Sequence, residues 1–466
     1  MSDIQVWRES TSGEPKFSKD FDVVKKAVLQ VTDIKTNRNK YYAVELHASK
    51  DKYRVYTHYG RTDDLDSNPE AGIRESRYCS SLEEAEGLYK KIFKEKTSPK
   101  KGYKEINLAS SKIGSKKTFG QSSGVIDDKT LNKLKDQPAI IVSASTISKP
   151  LQDFVEYIYA EATNKLISTV NVNITANGIE TPLGVLTINQ IDKGQEYLDK
   201  LSVLLSGKNT KSVQDNIVEV TGEFYTVIPH KFGRSKEAAQ EAVINSVEKL
   251  TTKQDTLQLM RDMLNVNSKG NVLVDSAIEQ KYKALDCEIG ILDKNDSKFK
   301  EIESYVIKSK VGYRSVSKVK NIYSLCRNSE QLVFNKNIGN EKLLFHGSRI
   351  QNWVGILSRG ILLPKAVVKL GVHRTDSGWL GHGIYFGDAI DTSLAYAGSG
   401  RRGTSFVAIA TVALGKMKDY NKITYGLSEP PNGYNSCHGV RGTEFADDEY
   451  VVYDNNQQKL EYLVEI

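Results

Sequence analysis

The spacing of apolar residues changes twice along this chain, and that limits what it can fold into more than any other feature. Between residues 22 and 93 the runs VVKKAVLQVTDI, NKYYAVELHA and YRVYTHYG alternate apolar and polar residues, which predicts antiparallel strands. Leu82, Ala85, Leu88, Tyr89 and Ile92 then recur at helical spacing and place one amphipathic helix on that sheet. Residues 94–124 are rich in Lys, Ser and Gly with little periodicity, and read as a linker. From Ser148 and an early Pro150 the period becomes helical: Leu151, Phe154, Val155, Ile158 and Ala162 fall on one stripe. Similar stripes at 195–205, 214–224, 238–250 and 255–264, joined by turns at 182–184 and 229–233, predict an all-helical bundle. Beyond about Leu292 strands return at 343–345, 406–414, 450–453 and 459–466, the last two spaced as a hairpin. The expected fold class is therefore a multidomain α+β chain: a small sheet-plus-helix domain over 1–105, a basic and polar linker over 106–145, an all-α bundle over 146–285, and a mainly antiparallel α+β domain over 286–466.

Composition adds exclusions. MSDIQVWRES lacks a basic stretch followed by an apolar one, so no secretory signal is expected, and no apolar run reaches bilayer length, so no membrane partner is expected. Cys79, Cys287, Cys326 and Cys437 are too scattered for a metal knuckle, and no metal is expected. The net charge of +7 is concentrated early: residues 1–120 hold 24 Lys and Arg against 18 Asp and Glu, which fits a polyanion partner for that end and equally a solvated lysine-rich surface.

Four C-terminal segments carry chemistry: LLFHGSR at 343–349, GHGIYFGDAIDTSLAYAG at 381–398, VALGKM at 412–417 and DDEYVVYD at 447–454. Asp391 is the expected N-cap of a short helix on which Ser393 and Tyr396, three residues apart, share a face. A hydroxyl and a ring side by side suit a flat aromatic amide. Asp447, Asp448 and Glu449 form an acidic run whose members the pattern alone does not separate.

In that order and spacing the four segments resemble the poly(ADP-ribose) polymerase family, most closely its vault-type branch through RTDSGWLGHGIYF at 374–386 and EPPNGYNSCHGV at 429–440. The resemblance implies NAD⁺ as substrate, with Tyr396 stacking nicotinamide, Ser393 and the Gly347 backbone bonding its carboxamide, and Tyr385 closing the other wall. It also implies that His346 bonds the adenosine ribose with Ser348 nearby, and that Glu449 carries rate. Breaking the nicotinamide bond develops positive charge on the ribose, which a carboxylate bonded to the 2′-hydroxyl stabilises. His346, Tyr385 and Glu449 thus match the family's triad, and chain extension rather than single transfer is implied. Thr392 stands where the family often has lysine.

Upstream, TPLGVLTINQI at 181–191 and EFYTVIPHKFG at 223–233 resemble the family's regulatory helical domain, which implies a bundle that hinders NAD⁺ entry until an activator loosens it. NKYYAVEL at 39–46 and THYGRT at 57–62 resemble the WGR module, with Tyr59 in the tryptophan's place and Gly60 and Arg61 kept, although YGR by itself also fits a tight turn between strands. The implied partner is DNA with strand breaks or 5′-phosphate ends, met by Asn39, Lys40, Tyr59, Gly60 and Arg61. The expected function is a DNA-break-activated protein poly-ADP-ribosyltransferase that modifies acceptor proteins and itself, nuclear in a eukaryote and otherwise nucleoid-associated. The alternatives are a mono-ADP-ribosyltransferase and a non-enzymatic DNA-end scaffold.

Overall fold

A computed structural model describes residues 4–50, 52–119, 147–170, 172–175, 177–230, 233–269, 277–311, 318–363 and 378–466. Residues 120–145 of the expected linker, residues 231–232 of the second helical motif, and residues 374–377 of the RTDSGW motif lie outside them. The chain divides into two compact units, Met1–Pro138 with Ile167–Leu264, and Ala139–Leu166 with Asn265–Ile466. Among the described residues no helix is long and apolar enough to cross a membrane.

The first unit is built on a six-stranded antiparallel sheet in the order Trp7–Arg8, Ile73–Cys79, Lys52–Arg61, Arg38–Ser49, Asp22–Asp33, Lys104–Glu105. Helix Leu82–Lys96, capped by the Ser81 side chain on the Glu84 N–H, covers one face through Ala85 and Ile92 against Leu29, Tyr42, Val44 and Val55. The opposite face, carrying Val28, Tyr41 and Ala43, is covered by Ile106, Leu108, Ile113 and Leu183. Residues 106–119 are therefore folded and are not linker. Ile106, Leu108 and Ile113 seal the sheet, while the Lys- and Ser-rich residues around them hide that role. Buried Glu45 holds the segment down, accepting from the Ser115 N–H at 3.1 Å and the Thr118 hydroxyl at 2.7 Å.

The helical region brings Ile188–Ser206, Lys211–Val227, Lys236–Glu241 and Val247–Asn267. It also adds three short strands, Asn173–Thr175, Gly178–Thr181 and Gly184–Val185, which form a small sheet with Ser110–Ser111. The single stripe expected over 238–250 is broken, because Ser246 restarts a helix by accepting the Lys249 N–H on its hydroxyl at 3.2 Å. Helix Lys211–Val227 lies directly on strand Asp22–Asp33: a β-carbon on Gly222 would run into the Thr32 carbonyl, and the Thr226 hydroxyl accepts the Thr32 N–H at 2.9 Å.

The second unit holds a nine-stranded sheet in the order Glu288–Ile291, Asn321–Cys326, Gln458–Glu465, Phe406–Ala413, Glu341–Gly347, Ile384–Gly387, Glu449–Val452, Ser436–Gly439, Met417–Tyr420. All neighbours are antiparallel except the last pair, which is parallel. Helices Ser297–Lys308 and Ile390–Ala397 close one core, where Phe299, Ile302 and Ile390 meet Phe345, Val407 and Val464. The expected closing hairpin does not form. Glu449–Val452 pairs with Ile384–Gly387 and Ser436–Gly439, whereas Gln458–Glu465 pairs with Asn321–Cys326 and Phe406–Ala413. A five-residue gap is short enough for a hairpin, but each strand takes two long-range neighbours instead.

Candidate active site

Three adjacent strands bring the C-terminal motifs together. Phe345 pairs with Gly387, Gly387 with Glu449, and Glu449 with Gly439, so these four residues form one row across the sheet and share a face. Glycines flank Glu449 on both sides of its row, and Gly439 is required because the Phe445 ring occupies the place of a β-carbon. Helix Ile390–Ala397 then seats itself at the end of strand Glu341–Gly347. A β-carbon on Gly347 would strike the Ser393 carbonyl, so that glycine is what allows the Gly347 backbone and Ser393 to lie side by side.

Ser393 is buried, and its hydroxyl has no hydrogen bond among the described residues. Tyr396, one turn on, leaves 65% of its surface exposed, an unusual state for a large ring in the middle of a motif. Asp391 is not the N-cap: Ala389 precedes the helix, and Asp391 sits inside its first turn, accepting the Val311 N–H at 2.9 Å. That long-range partner is invisible to a local capping pattern.

His346 directs Nδ1 at the Tyr385 carbonyl, 2.9 Å away, so Nδ1 carries the proton and Nε2 is an acceptor. Burial pushes its pKa down and keeps the ring neutral. The Ser348 hydroxyl accepts from the Asn352 amide at 3.0 Å. Tyr385 is wrapped by the loop before its strand: its hydroxyl donates to the Gly381 carbonyl at 2.7 Å and accepts the Leu380 N–H at 2.9 Å, while Gly378 lies against the ring. Tyr453 reinforces that loop by donating to the Leu380 carbonyl at 2.5 Å.

The three consecutive carboxylates separate by environment. Asp447 accepts from the Thr392 hydroxyl at 2.6 Å. Asp448 accepts from the Arg441 N–H at 3.0 Å and meets His438 Nε2 at 2.9 Å, and those contacts pull its pKa below the usual carboxylate range. Glu449, half-buried, has no hydrogen bond or ion pair among the described residues. Burial, and then the charge of Asp447, push its pKa up to about 7. Its charge reaches both tyrosines, raising the hydroxyl pKa of Tyr385 and of Tyr396 after the larger effect of burial. Sequence reasoning missed the glycine pair at 387 and 439 and the His438 clamp on Asp448. CHGV was visible as part of a motif, but strand register is needed to give it a role.

The N-terminal candidates are arranged differently. Asn39 is 1% exposed: its amide donates to the His230 carbonyl at 2.9 Å, and its oxygen accepts from Gln30 at 2.7 Å. It is an interior residue and is thereby corrected out of a DNA-contacting set. The Arg61 guanidinium is engaged by Asp63 at 2.9 Å, by the Asn37 carbonyl at 2.9 Å and by the Gly233 carbonyl at 2.8 Å. Tyr59 stacks on Tyr42 at 5.3 Å and donates to Glu75 at 2.9 Å. A side chain on Gly60 would crowd the Tyr41 hydroxyl, and Lys40 is exposed.

Comparison with known proteins agrees with this layout. Three family descriptions match in order: WGR domain over 25–110, poly(ADP-ribose) polymerase regulatory domain over 145–287, and poly(ADP-ribose) polymerase catalytic domain over 296–445. This chain belongs to the poly(ADP-ribose) polymerase family. The mouse protein mono-ADP-ribosyltransferase PARP4 is 35% identical over 70% of the chain, which spans only 16% of that relative's length. The mouse protein mono-ADP-ribosyltransferase PARP3 is 24% identical, with 94% of this chain and 87% of the relative aligned. The rice poly [ADP-ribose] polymerase 2-B is 26% identical, at 96% and 72%.

Proposed function

We propose that this chain cleaves the nicotinamide–ribose bond of NAD⁺ and transfers ADP-ribose to protein acceptors, itself among them, with DNA strand breaks as the activator and chain extension as the outcome. The observation that carries the reading is the unpartnered Glu449 carboxylate, with a pKa near 7, acting electrostatically on Tyr385 and Tyr396. A carboxylate left without internal partners can accept from a ribose 2′-hydroxyl and stabilise the positive charge that grows as nicotinamide departs. Tyr396 offers an exposed face for the departing ring, Ser393 and Gly347 offer the donors for its carboxamide, and neutral His346 offers Nε2 to the adenosine ribose. The site residues stay with His346, Gly347, Ser348, Tyr385, Ser393, Tyr396 and Glu449. In a eukaryotic cell this reading places the protein in the nucleus.

A second reading, single transfer, is favoured by the printed names of the two mouse relatives, both mono-ADP-ribosyltransferases. Labelled NAD⁺ with and without nicked DNA tests both. A ladder of products that grows with nicked DNA is expected. One discrete product selects single transfer, and no nicotinamide release under either condition removes the enzymatic reading.

A further inference from the structure

Residues 398–405 join helix Ile390–Ala397 to strand Phe406–Ala413, and the loop is held from two sides. On one side lies helix Lys149–Val170. Its Tyr157 hydroxyl accepts the Arg402 N–H at 3.0 Å, its Glu161 carboxylate accepts the Arg401 N–H at 3.0 Å, and the Arg402 guanidinium covers the Tyr157 ring at 4.1 Å. On the other side is Ile350, four residues after His346. Gly400 fits between the two: a β-carbon there would meet the Tyr157 hydroxyl first and the Ile350 side chain next.

The loop is also bonded to itself. The Gly400 N–H donates to the Thr404 carbonyl, the Gly403 N–H to the Gly400 carbonyl and the Ser405 hydroxyl to the Gly398 carbonyl, each at 2.9 Å. Displacing residues 400–402 therefore displaces Gly398, which at φ 61° ends the helix bearing Ser393 and Tyr396. Helix Lys149–Val170 is in turn fixed to the sheet, because Phe154 stacks on Tyr323 at 4.3 Å and meets Phe406 at 5.6 Å.

We propose that Tyr157 and Glu161 are positioning residues for the nicotinamide slot: they hold the loop that sets where Ser393 and Tyr396 stand. The proposal rests on the reading of those two residues as nicotinamide contacts. An eight-residue helix ending in glycine has little stiffness of its own, and a small displacement of a binding group is costly to affinity. It also gives a segment matched by the regulatory-domain description a supporting role toward substrate.

The test uses the full chain, NAD⁺, and nicotinamide alone as a probe of the slot. Nicotinamide binding to the wild type is measured first, and its absence refutes the assignment of Ser393 and Tyr396 and the proposal with it. Tyr157→Phe combined with Glu161→Ala removes both acceptors and keeps the packed ring. The expected result is a rise of about tenfold in KM for NAD⁺ and in the nicotinamide Kd, with kcat within about twofold and the urea midpoint near the wild type's. Gly400→Ala alone should weaken the same two affinities, and adding Tyr157→Phe should restore part of the loss, because the hydroxyl that the new methyl meets is gone. A folded double variant with unchanged KM and Kd, or with faster turnover, overturns the proposal. Should that variant fail to fold, the Gly400→Ala rescue decides, and its absence overturns the proposal as well.

Discussion

Arg61 and Glu449 are both singled out by short motifs, and they sit in opposite circumstances. The Arg61 guanidinium is tied inside the protein, by an ion pair to Asp63 and by hydrogen bonds to Asn37 and Gly233, and neighbouring Asn39 is buried among Gln30 and the His230 carbonyl. Glu449 is half-buried with no side-chain partner among the described residues, within electrostatic reach of Tyr385 and of the exposed Tyr396. A polar group whose hydrogen bonds are complete inside the protein stabilises the fold. One that is partly desolvated and incomplete raises the energy of the free protein and is completed by a ligand. By that criterion the proposed site lies at the C-terminal motif, whereas Arg61 of YGR joins the sheet to Asn37 and Gly233.

The largest effect that can break this contrast is at Glu449. Glu449→Gln keeps size and one accepting oxygen but removes the charge, and transfer should fall by about 10²- to 10³-fold with nicotinamide affinity retained. Asp448→Asn, which changes a carboxylate already engaged by His438 and Arg441, should cost far less. Equal losses in the two variants would mean that hydrogen-bond completion does not separate function from structure here.

Asn39 gives the converse. Asn39→Ala leaves Gln30 and the His230 carbonyl short of partners in a buried place, and should lower stability by about 3 kcal/mol, read as a shift in the urea midpoint. If the variant keeps its stability and instead loses DNA affinity, Asn39 is a surface contact and the comparison fails.

Local patterns made the elements legible. Alternation placed the N-terminal strands, helical stripes placed most of the bundle, and the HGS, GIYF and DDEY motifs fall on three neighbouring strands. What stayed hidden depends on partners distant in sequence. Asp391 finds Val311 rather than its own helix terminus, and the two closing strands choose distant neighbours over each other. Ile106, Leu108 and Ile113 cover a sheet face from inside a lysine-rich stretch. The acidic run is the clearest case, since its members become distinguishable only when Thr392, His438 and Arg441 are brought beside them.

Proton affinity sharpens the contrast further. The carboxyl of Glu449 is raised to about 7 by burial and by Asp447, so it is mostly protonated at pH 6 and mostly charged at pH 8. Under the proposed role, in which the charged form stabilises the ribose cation, kcat/KM for NAD⁺ should climb with pH and level off above an apparent midpoint near 7. Asp447→Asn removes a neighbouring negative charge, and the midpoint should move to lower pH by a fraction of a unit. A profile flat between pH 5.5 and 8.5, or a midpoint that Asp447→Asn leaves in place, would contradict the assignment.

The smallest effect lies at the N-terminal surface and separates Arg61 from Lys40. A cation that pairs with phosphate releases counterions, so its loss lowers the slope of log affinity against log salt by about one. Lys40 is exposed and free to make such a contact, and Lys40→Ala should show that change with nicked DNA while stability holds. The Arg61 charge is already matched by Asp63 and its donors by two carbonyls, so Arg61→Ala should lower the melting temperature and leave the salt slope unchanged. Were Arg61→Ala to reduce the slope at constant stability, the guanidinium must exchange Asp63 for phosphate when DNA arrives. The joint with Gly233 would then be what DNA binding releases.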